Sequence, residues 1–326
     1  MFILAADTSC DDSCVSIIDT TTRKILGEVV LSHIQAMQRF GGIVPEIASR
    51  EHLKALPLAL EECLKLAGLS LAQMDGFAVT HRPGLIGALL VGVSFIKSLA
   101  FRFQKPLYML NHIEAHLYSP LLGEAPPFPW LALVVSGGHT ELFHVKDGGD
   151  FRHLGGTLDD AAGEAFDKTG KLLGFPYPAG PLMDKTAREY KEPLPKNPFP
   201  IAKVDGFDFS FSGLKTAVSL YVQKNPPGTE LEKAKQIAWA QEAILDQLVL
   251  KCNQALEAYP DCRLVITGGV ACNSRLREKM PQAYFPLPKH CTDNASMVAV
   301  LAALKGQKGQ LVPAELNATA HASGEF

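Results

Sequence analysis

Two stretches of this chain, which begin 128 residues apart, share one order of apolar and polar segments. Residues 2–19 and residues 130–147 each read as a short apolar strand, a small polar turn and a second strand that ends in aspartate. A third strand and then helices are expected after each hairpin. Because self-similarity at a fixed offset indicates a repeated structural unit, we predict an internal duplication, although two unrelated hairpins can share part of this pattern.

The length and composition are those of a globular protein with one large domain or two modest ones. The chain has 326 residues, of which 47% are hydrophobic and 20% are charged, close to the usual averages. Its net charge of −3 provides no overall basic field, so a nucleic-acid ligand would need a local basic patch or a partner protein. Seven cysteines without a Cys-x-x-Cys pair favour reduced thiols and a cytoplasmic location.

No segment is expected to enter a membrane. Residues 1–7 contain no basic region and become acidic at once, so we expect no signal peptide. The longest apolar run, residues 85–96, is shorter than the about 20 residues that cross a bilayer, and we predict a buried helix there. Residues 312–326 show weak patterning, and we expect them to fray.

Two histidines stand four residues apart in the stretch 111–116, which opens a predicted helix. On a helix, His112 and His116 lie one above the other and are able to bind one metal ion. The zinc-protease motif H-E-x-x-H has the same spacing, but Glu114 lies about 200° around the helix from His112, which is the wrong place for that motif's base. Such pairs also occur on ordinary surface helices, so both interpretations stay open at this point.

Polar turns and glycine pairs follow predicted strands at residues 7–13, 136–140 and 268–269. Glycines let a backbone approach a phosphate without a Cβ clash, and a helix N-terminus behind the loop offers free N–H groups. We therefore predict a nucleotide-like ligand, although a single Gly-Gly pair is commonly a plain tight turn. The P-loop and Rossmann glycine motifs are absent from the sequence, which disfavours those two classes.

The first polar turn carries two adjacent aspartates, Asp11 and Asp12. They are candidates for a cation ligand or a catalytic base, or they form a plain solvated turn. A search for a nucleophile is negative, because Ser136 lies in Val-Ser-Gly-Gly-His and not in G-x-S-x-G. Acidic neighbours are expected to raise the pKa of the Cys10 and Cys14 thiols, which makes them poor nucleophiles.

Together these motifs resemble the tRNA N6-adenosine threonylcarbamoyltransferase family, once labelled glycoprotease or O-sialoglycoprotein endopeptidase. The resemblance covers residues 2–306, nearly the whole chain. It rests on the motifs at residues 7–12, 41–46, 83–92, 111–116, 135–140, 159–168, 208–215, 268–273 and 291–295.

The resemblance implies an α/β protein of the actin/Hsp70/sugar-kinase-like architecture, with two lobes, each on a duplicated ribonuclease-H-like mixed sheet. We place the N-terminal lobe at residues 1–110 plus 295–326. The C-terminal lobe, with the metal and nucleotide-binding loops, is placed at residues 111–294.

The resemblance also implies a site. One divalent metal ion per subunit, iron or zinc, would be held by His112, His116 and Asp293, a ligand set that does not discriminate between the two metals. Asp11 or Asp12 would help to remove a proton during catalysis. The adenylate part of the substrate would lie against Val134, Val135, Ser136, Gly137, Gly138, Asp167, Gly180, Asp184 and Asn273.

Members of this family transfer the threonylcarbamoyl group of threonylcarbamoyl-AMP to N6 of adenosine 37 in tRNAs that read ANN codons. A separate synthase makes the adenylate. The resemblance implies tRNA and threonylcarbamoyl-AMP as substrates, and a catalytically silent paralogous subunit and a small P-loop ATPase as partners in bacteria. Basic candidates for contacts to tRNA phosphates are Arg82, Arg102, Lys105, Arg275, Arg277, Lys279 and Lys289.

This chain departs from the family pattern at three places near these motifs. Asp12 stands where the family usually has Glu, Arg82 replaces the first Gly of Gly-Pro-Gly, and Ala179 replaces a Gly of Pro-Gly-Gly-Pro. Rival functions are an ATPase or sugar-type kinase of the same fold, a metalloprotease and a non-catalytic scaffold. The misplaced Glu114 and the absence of a protease nucleophile argue against the protease, and the intact set of His112, His116 and Asp293 argues against the scaffold.

Overall fold

The computed structural model describes residues 1–324. Two sets of strands form two separate sheets. The strands are β1 (Phe2–Asp7), β2 (Asp12–Asp19), β3 (Lys24–Ser32), β4 (Gly76–Arg82), β5 (Leu107–Asn111), β6 (Trp130–Val135), β7 (Thr140–Asp147), β8 (Asp150–Gly156) and β9 (Arg263–Thr267). The helices are α1 (Ile34–Gln38), α2 (Pro45–Ala67), α3 (Ile86–Phe103), α4 (His112–Tyr118), α5 (Ala162–Leu172), α6 (Gly180–Ala187), α7 (Ser212–Lys224), α8 (Glu230–Ala258), α9 (Ser274–Lys279), α10 (Pro288–Cys291) and α11 (Ala295–Gln307).

By its internal contacts the chain divides into two compact units. Unit 1 contains Met1–Ala125 and the C-terminal residues from Thr292, and unit 2 contains Pro126–Cys291. The lobe boundaries after residues 110 and 294 stay a prediction. By contacts, the histidine helix α4 and Asp293 both belong to unit 1.

The two sheets repeat one topology, which confirms the predicted duplication. Unit 1 has the strand order β3-β2-β1-β4-β5, and unit 2 has β8-β7-β6-β9. In both units the first strand is antiparallel to the second and parallel to the strand on its other side, β4 or β9. Unit 1 therefore adds one further parallel strand, β5, and this strand leads into the histidine helix.

The two hairpins differ in the length of their connecting loop. Asp7 pairs with Cys14 in the first hairpin, and Val135 pairs with Thr140 in the second. Six residues, 8–13, thus separate the last paired positions of the first hairpin, and four, 136–139, separate those of the second, although Asp12 and Ser13 already pair with β3. The extra length is in the repeat that carries the two adjacent aspartates.

The core of unit 1 lies on both faces of its sheet. On one face α3 packs against α2 and β4, and on the other α11 packs against β1 and β2. Every residue of α11 from Ala295 to Leu304 is buried, as expected for a helix that is apolar on all sides. This burial fixes the position of the residues that precede α11.

Helix α3 is longer than the apolar run from which it was predicted. Its 18 residues, Ile86–Phe103, are long and apolar enough by length and composition to cross a membrane, a test that the core helix of a globular protein also passes. One third of this window is buried, including Leu89, Val93 and Ile96 in the core of unit 1.

The C-terminal residues that we expected to fray are held in place as far as residue 324. The backbone N–H of Ala314 donates to the carbonyl of Leu107 at 2.7 Å, and that of His321 donates to the carbonyl of His81 at 2.9 Å. The Lys97 ammonium donates to the carbonyl of Ala318. The tail thus lies along β4, β5 and α3, so the expectation of fraying is wrong for these residues.

Unit 2 buries its sheet under a layer of helices. All six residues of β6 are buried, and α5, α6 and α7 pack with the long helix α8 around them. Residues 191–210 contain no helix or strand. The buried ammonium of Lys251 holds this segment by donating to the carbonyls of Val204 and Gly206, each at 2.7 Å.

We predict that Leu133→Ala, at the centre of β6, lowers the free energy of unfolding of unit 2 by about 2–5 kcal/mol, because it leaves a cavity in a packed core. Leu133 is fully buried, whereas Leu158 in the same unit is 65% exposed. The matched variant Leu158→Ala should change stability by less than about 0.5 kcal/mol. Urea unfolding followed by tryptophan fluorescence measures both, and equal losses would contradict the assignment of this core.

Candidate functional site

The histidine helix starts at a well-defined cap. The side chain of Asn111, the last residue of β5, accepts hydrogen bonds from the backbone N–H groups of Ile113 and Glu114 at 2.8 and 3.0 Å. Asparagine is among the strongest N-cap residues because it satisfies N–H groups that the helix leaves unpaired. His112 is thereby the first residue of α4, and His116 follows one turn later on the same face.

The third candidate ligand reaches this pair from a second helix start. Asp293 directly precedes Asn294, whose side chain caps α11 by accepting from the backbone N–H of Met297 at 2.9 Å. Oδ1 of Asp293 lies 3.1 Å from Nε2 of His116 and 3.6 Å from Nε2 of His112. The structure therefore brings Asp293 to the histidine pair, although it lies 177 residues beyond His116 in the chain, and all three residues belong to unit 1.

The donor set fits a divalent metal ion. Ligand atoms at about 2.0–2.2 Å from a tetrahedral zinc ion are about 3.3 Å apart, and the two distances to Asp293 lie on either side of that value. The three ligand atoms all lie within 4.8 Å of one another. Two imidazoles and one carboxylate complete three positions and leave at least one for another ligand. The protein therefore has a possible His-His-Asp metal site, as predicted.

A fourth residue orients the first histidine. Nδ1 of His112 lies 2.9 Å from Oδ2 of Asp7, at the end of β1. Because a carboxylate only accepts, Nδ1 carries a proton, and Nε2, which faces Asp293, is the atom that would bind a metal ion. Oδ1 of Asp7 accepts from the hydroxyl of Thr80 at 2.8 Å and from the N–H of Ser9 at 2.9 Å. Asp7 is thus a positioning residue that the sequence analysis did not assign, although its place at a strand end was the available signal.

The electrostatics of this cluster favour a cation. Burial lowers the pKa of His112, but the carboxylates of Asp7 and Asp293 outweigh it and raise that pKa to about 9. Burial raises the pKa of Asp7, yet the charge and hydrogen bond of His112 bring it below its ordinary value. At His116 burial dominates and lowers the pKa. A buried site with two carboxylates is stabilised by positive charge, which either a proton or a metal ion supplies.

Glu114 takes no part in this cluster. Its carboxylate lies 2.8 Å from the ammonium of Lys305 on α11 and joins the two capped helices. The residue is only 8% exposed, so this ion pair is well shielded from water. The prediction that Glu114 does not act as a protease base agrees with this geometry.

Asp11 lies in the connection between β1 and β2, and Asp12 is the first residue of β2. Burial raises the pKa of Asp12 to about 7, and the charges of Asp11 and Asp293 add to this, against a hydrogen bond from Ser32. Burial also raises the pKa of Asp11. A carboxylate with a pKa near neutrality is well suited to accept a proton at physiological pH.

The glycine loop of unit 2 is a tight, open turn. The N–H of Ser136 donates to the carbonyl of His139 at 2.8 Å, and the Ser136 hydroxyl accepts from the N–H of His139 at 3.2 Å. A Cβ atom at Gly137 or Gly138 would meet nothing within 4 Å, so space is free above this backbone. The N–H of Gly163, near the start of α5, donates to the carbonyl of Ser136 at 3.1 Å, which places a helix N-terminus behind the loop as predicted.

The first glycine of the second pair is required by close packing. Gly268 has a φ of +94°, and a Cβ atom there would lie 2.3 Å from the carbonyl oxygen of Val135. Any other residue would both strain the backbone and separate β9 from β6. Gly269 then begins the 3₁₀ turn Gly269–Cys272, which leads directly to Asn273.

The remaining candidates for adenylate binding fall into two hydrogen-bonded groups of unit 2. The carboxylate of Asp184 accepts from the N–H and hydroxyl of Ser274 at 3.1 and 2.8 Å, and the Asn273 amide donates to Gln241 at 2.9 Å. Asp167 accepts from the N–H of Ala179, beside Gly180, at 2.7 Å. The sequence analysis did not predict that Gln241 would lie in this group. The role of these residues in ligand binding stays a prediction.

Several basic candidates for phosphate contacts already have partners inside the protein. Arg275 and Lys279 each lie 2.6 Å from a carboxylate oxygen of Glu242. Arg277 donates to the carbonyls of Ala271 and Pro286 at 2.8 and 3.2 Å. Arg82 instead has no ion pair within residues 1–324, and its backbone is paired in register with Asn111. Nε of Arg82 is buried without a hydrogen-bond partner, and the residue lies at the end of β4, beside the strand that leads into α4.

The fold and site define an α/β protein with a duplicated mixed sheet and a possible metal centre. The family model described as tRNA N6-adenosine threonylcarbamoyltransferase matches residues 24–300, and the chain belongs to this family. Proteins of that name are similar throughout: the one from Anaeromyxobacter sp. is 46% identical, with 98% of each chain covered. The one from Bacillus cereus is 42% identical, with 97% of this chain and 94% of the relative covered.

Solved structures support the fold alone. Component A of (R)-2-hydroxyglutaryl-CoA dehydratase from Acidaminococcus fermentans has a TM-score of 0.56 at 14% identity and covers 94% of this chain and 99% of its own. HypF from T. kodakarensis has a TM-score of 0.64 at 12% identity, over 96% of this chain and 48% of its own. The predicted actin/Hsp70/sugar-kinase-like fold is confirmed.

We predict that purified protein binds about one zinc or iron ion per chain and that Asp293→Ala abolishes this binding. Asp7→Asn should weaken it by about 10–100-fold, because it frees the His112 ring without removing a ligand. Competition with a chromogenic chelator, together with elemental analysis, measures both. His144→Ala, which changes a histidine of unit 2, is the control. Equal metal content in the wild type and Asp293→Ala would contradict the site.

Proposed function

We propose that this protein transfers the threonylcarbamoyl group of threonylcarbamoyl-AMP to N6 of adenosine 37 in tRNAs that read ANN codons. The observation that carries this proposal is the similarity of nearly the whole chain to proteins with that name, at 42–46% identity. The cluster of His112, His116 and Asp293 supports it, because the residues of the site are present in a geometry that suits a metal ion.

The reaction requires the protein to position its two substrates and to accept one proton. N6 of the adenine attacks the carbamoyl carbon, the bond from that carbon to the phosphate oxygen breaks, and AMP leaves. Because the mixed anhydride is already activated, no covalent intermediate on the protein is needed. The protein must hold the anhydride and the adenine in line and receive the N6 proton.

We assign the parts of this task to the following residues. The ring of His112, oriented by Asp7, together with His116 and Asp293, would hold zinc or iron, which supplies Lewis acidity and charge neutralisation when bound. Asp12 would accept the N6 proton, with Asp11 beside it. The open loop at Val134–Gly138, with α5 behind it, would bind the adenylate, together with Asp167, Gly180, Asp184 and Asn273.

We also propose the cellular setting that the family resemblance implies. Partners would be tRNA, a paralogous subunit of the same fold and a small P-loop ATPase, and the location would be the cytoplasm. The net charge of −3 supports shared tRNA binding, because the chain alone offers no broad basic field. Arg82 is the first candidate within this chain for a phosphate contact.

The rival functions are less well supported. A metalloprotease would need a base beside the histidines, and Glu114 is instead paired with Lys305. An ATPase or kinase of this fold would turn over ATP without tRNA. A silent scaffold would have no need to keep the cluster around Asp293.

Reconstitution tests the proposal directly. The protein, its candidate partners, tRNA, threonine, bicarbonate and ATP should give modified adenosine, detected by mass spectrometry of digested tRNA. His112→Ala should lower the yield by more than about 100-fold, since it removes a metal ligand, whereas His144→Ala should leave it near the wild-type level. No product from the wild type, or undiminished product from His112→Ala, would reject the proposal.

A second prediction concerns pH. If Asp12 accepts the proton, kcat/KM should rise with pH below about 7 and level above it, because only the deprotonated carboxylate acts as base and burial raises its pKa to about 7. Asp12→Asn should remove this limb and lower the rate by about 10²–10⁴-fold. Asp12→Glu, which restores the usual family residue, is the matched control and should retain activity. A limb that persists in Asp12→Asn would rule this base out.

A further inference from the structure

Two cysteines of unit 2 lie side by side at the ends of two short helical turns. Cys272 ends the 3₁₀ turn Gly269–Cys272, and Cys291 ends α10, which packs on that turn. Sγ of Cys272 lies 3.7 Å from the carbonyl oxygen of Pro288, the first residue of α10. Sγ of Cys291 also lies 3.4 Å from the carbonyl oxygen of Pro286, so both sulfur atoms are held in defined positions.

Arg277 connects the two segments that carry these thiols. Its Nε donates to the carbonyl of Ala271, next to Cys272, at 2.8 Å. Its Nη2 donates to the carbonyl of Pro286 at 3.2 Å and lies 3.7 Å from Sγ of Cys291. The guanidinium also lies 4.8 Å from the ring centre of Phe285. These contacts fix the distance between the turn and α10 and place a positive charge beside the thiols.

Cys272 differs from the other cysteines of unit 2 in its exposure and in the pKa of its thiol. Cys272 is partly exposed, so a small oxidant reaches it. The hydrogen bond from Cys291 lowers the pKa of Cys272 to about 7, against burial, and the charge of Arg277 contributes. Burial raises the pKa of Cys252, by contrast, to about 12. Low-pKa, accessible thiols with a second thiol beside them are the usual sites of reversible oxidation.

We propose that Cys272 and Cys291 are a modification site, at which a peroxide converts the two thiols into one reversible disulfide. The Cys272 thiolate attacks one peroxide oxygen, which becomes a sulfenic acid on that sulfur while the other oxygen leaves as water. The sulfur of Cys291 then attacks the sulfenic sulfur, the S–S bond forms, and a second water leaves. Two thiols and one hydrogen peroxide thus give one disulfide and two waters, and a dithiol reductant restores both thiols.

The bond would tether the turn before Asn273 to α10. Neither the family resemblance nor the proposed transferase reaction requires this disulfide. The experiment that tests it measures the state of the thiols and not transferase activity.

The experiment treats the purified full-length protein with a few equivalents of hydrogen peroxide, blocks the remaining thiols and digests with trypsin. The two cysteines fall in different tryptic peptides, residues 264–275 and residues 290–305, each with a single cysteine. We expect loss of two of the seven thiols and a linked peptide pair, two hydrogens lighter than the sum, which dithiothreitol separates.

Two variants sharpen the result. Cys291→Ser should give no linked pair and should leave Cys272 as a sulfenic acid that dimedone captures, whereas Cys252→Ser should form the linked pair as in the wild type. The proposal is overturned if all seven thiols stay free at a dose that oxidises free cysteine. It is equally overturned if Cys272 proceeds to sulfinic acid in the wild type without any link to Cys291.

Discussion

The hydrogen bond between Asp7 and His112 is the contact on which the candidate site of unit 1 depends. It joins the end of the central strand β1 to the first residue of α4, with a separation of 2.9 Å and both side chains buried. A buried carboxylate is costly unless it is paired, and Asp7 is satisfied by His112, Thr80 and Ser9 together. The same bond fixes the tautomer of His112 and so directs Nε2 toward Asp293.

The parallel arrangement of β1, β4 and β5 explains why these groups meet. Parallel strands bring their carboxyl ends to one edge of the sheet, which is where ligands bind in open α/β sheets. Asp7, Arg82 and Asn111 stand at those ends. The helix α11, apolar on all sides, is buried against the same sheet and brings Asp293 to the edge.

The two units repeat one strand arrangement, but the hairpin loops of the two units carry different functional groups. The hairpin loop of unit 1 is long and acidic, and burial raises the pKa of its carboxylates. The loop of unit 2 is short and rich in glycine, with open space above Gly137 and Gly138 and a helix start behind it. One frame therefore offers a proton acceptor and a metal site, and the other offers a loop suited to phosphate.

The sequence by itself determined the repeated hairpins, the histidine pair, the glycine loops and the family, because these are encoded in local order and spacing. It also indicated Asp293, though only through resemblance to relatives. The tertiary structure alone decided the hydrogen bonds of Asp7 and Gln241, the internal pairing of Arg275 and Lys279, the order of the tail as far as residue 324 and the packing of α10 on the turn that ends at Cys272. Each of these depends on contacts between residues distant in the chain, and neither composition nor periodicity carries information about which distant side chains meet.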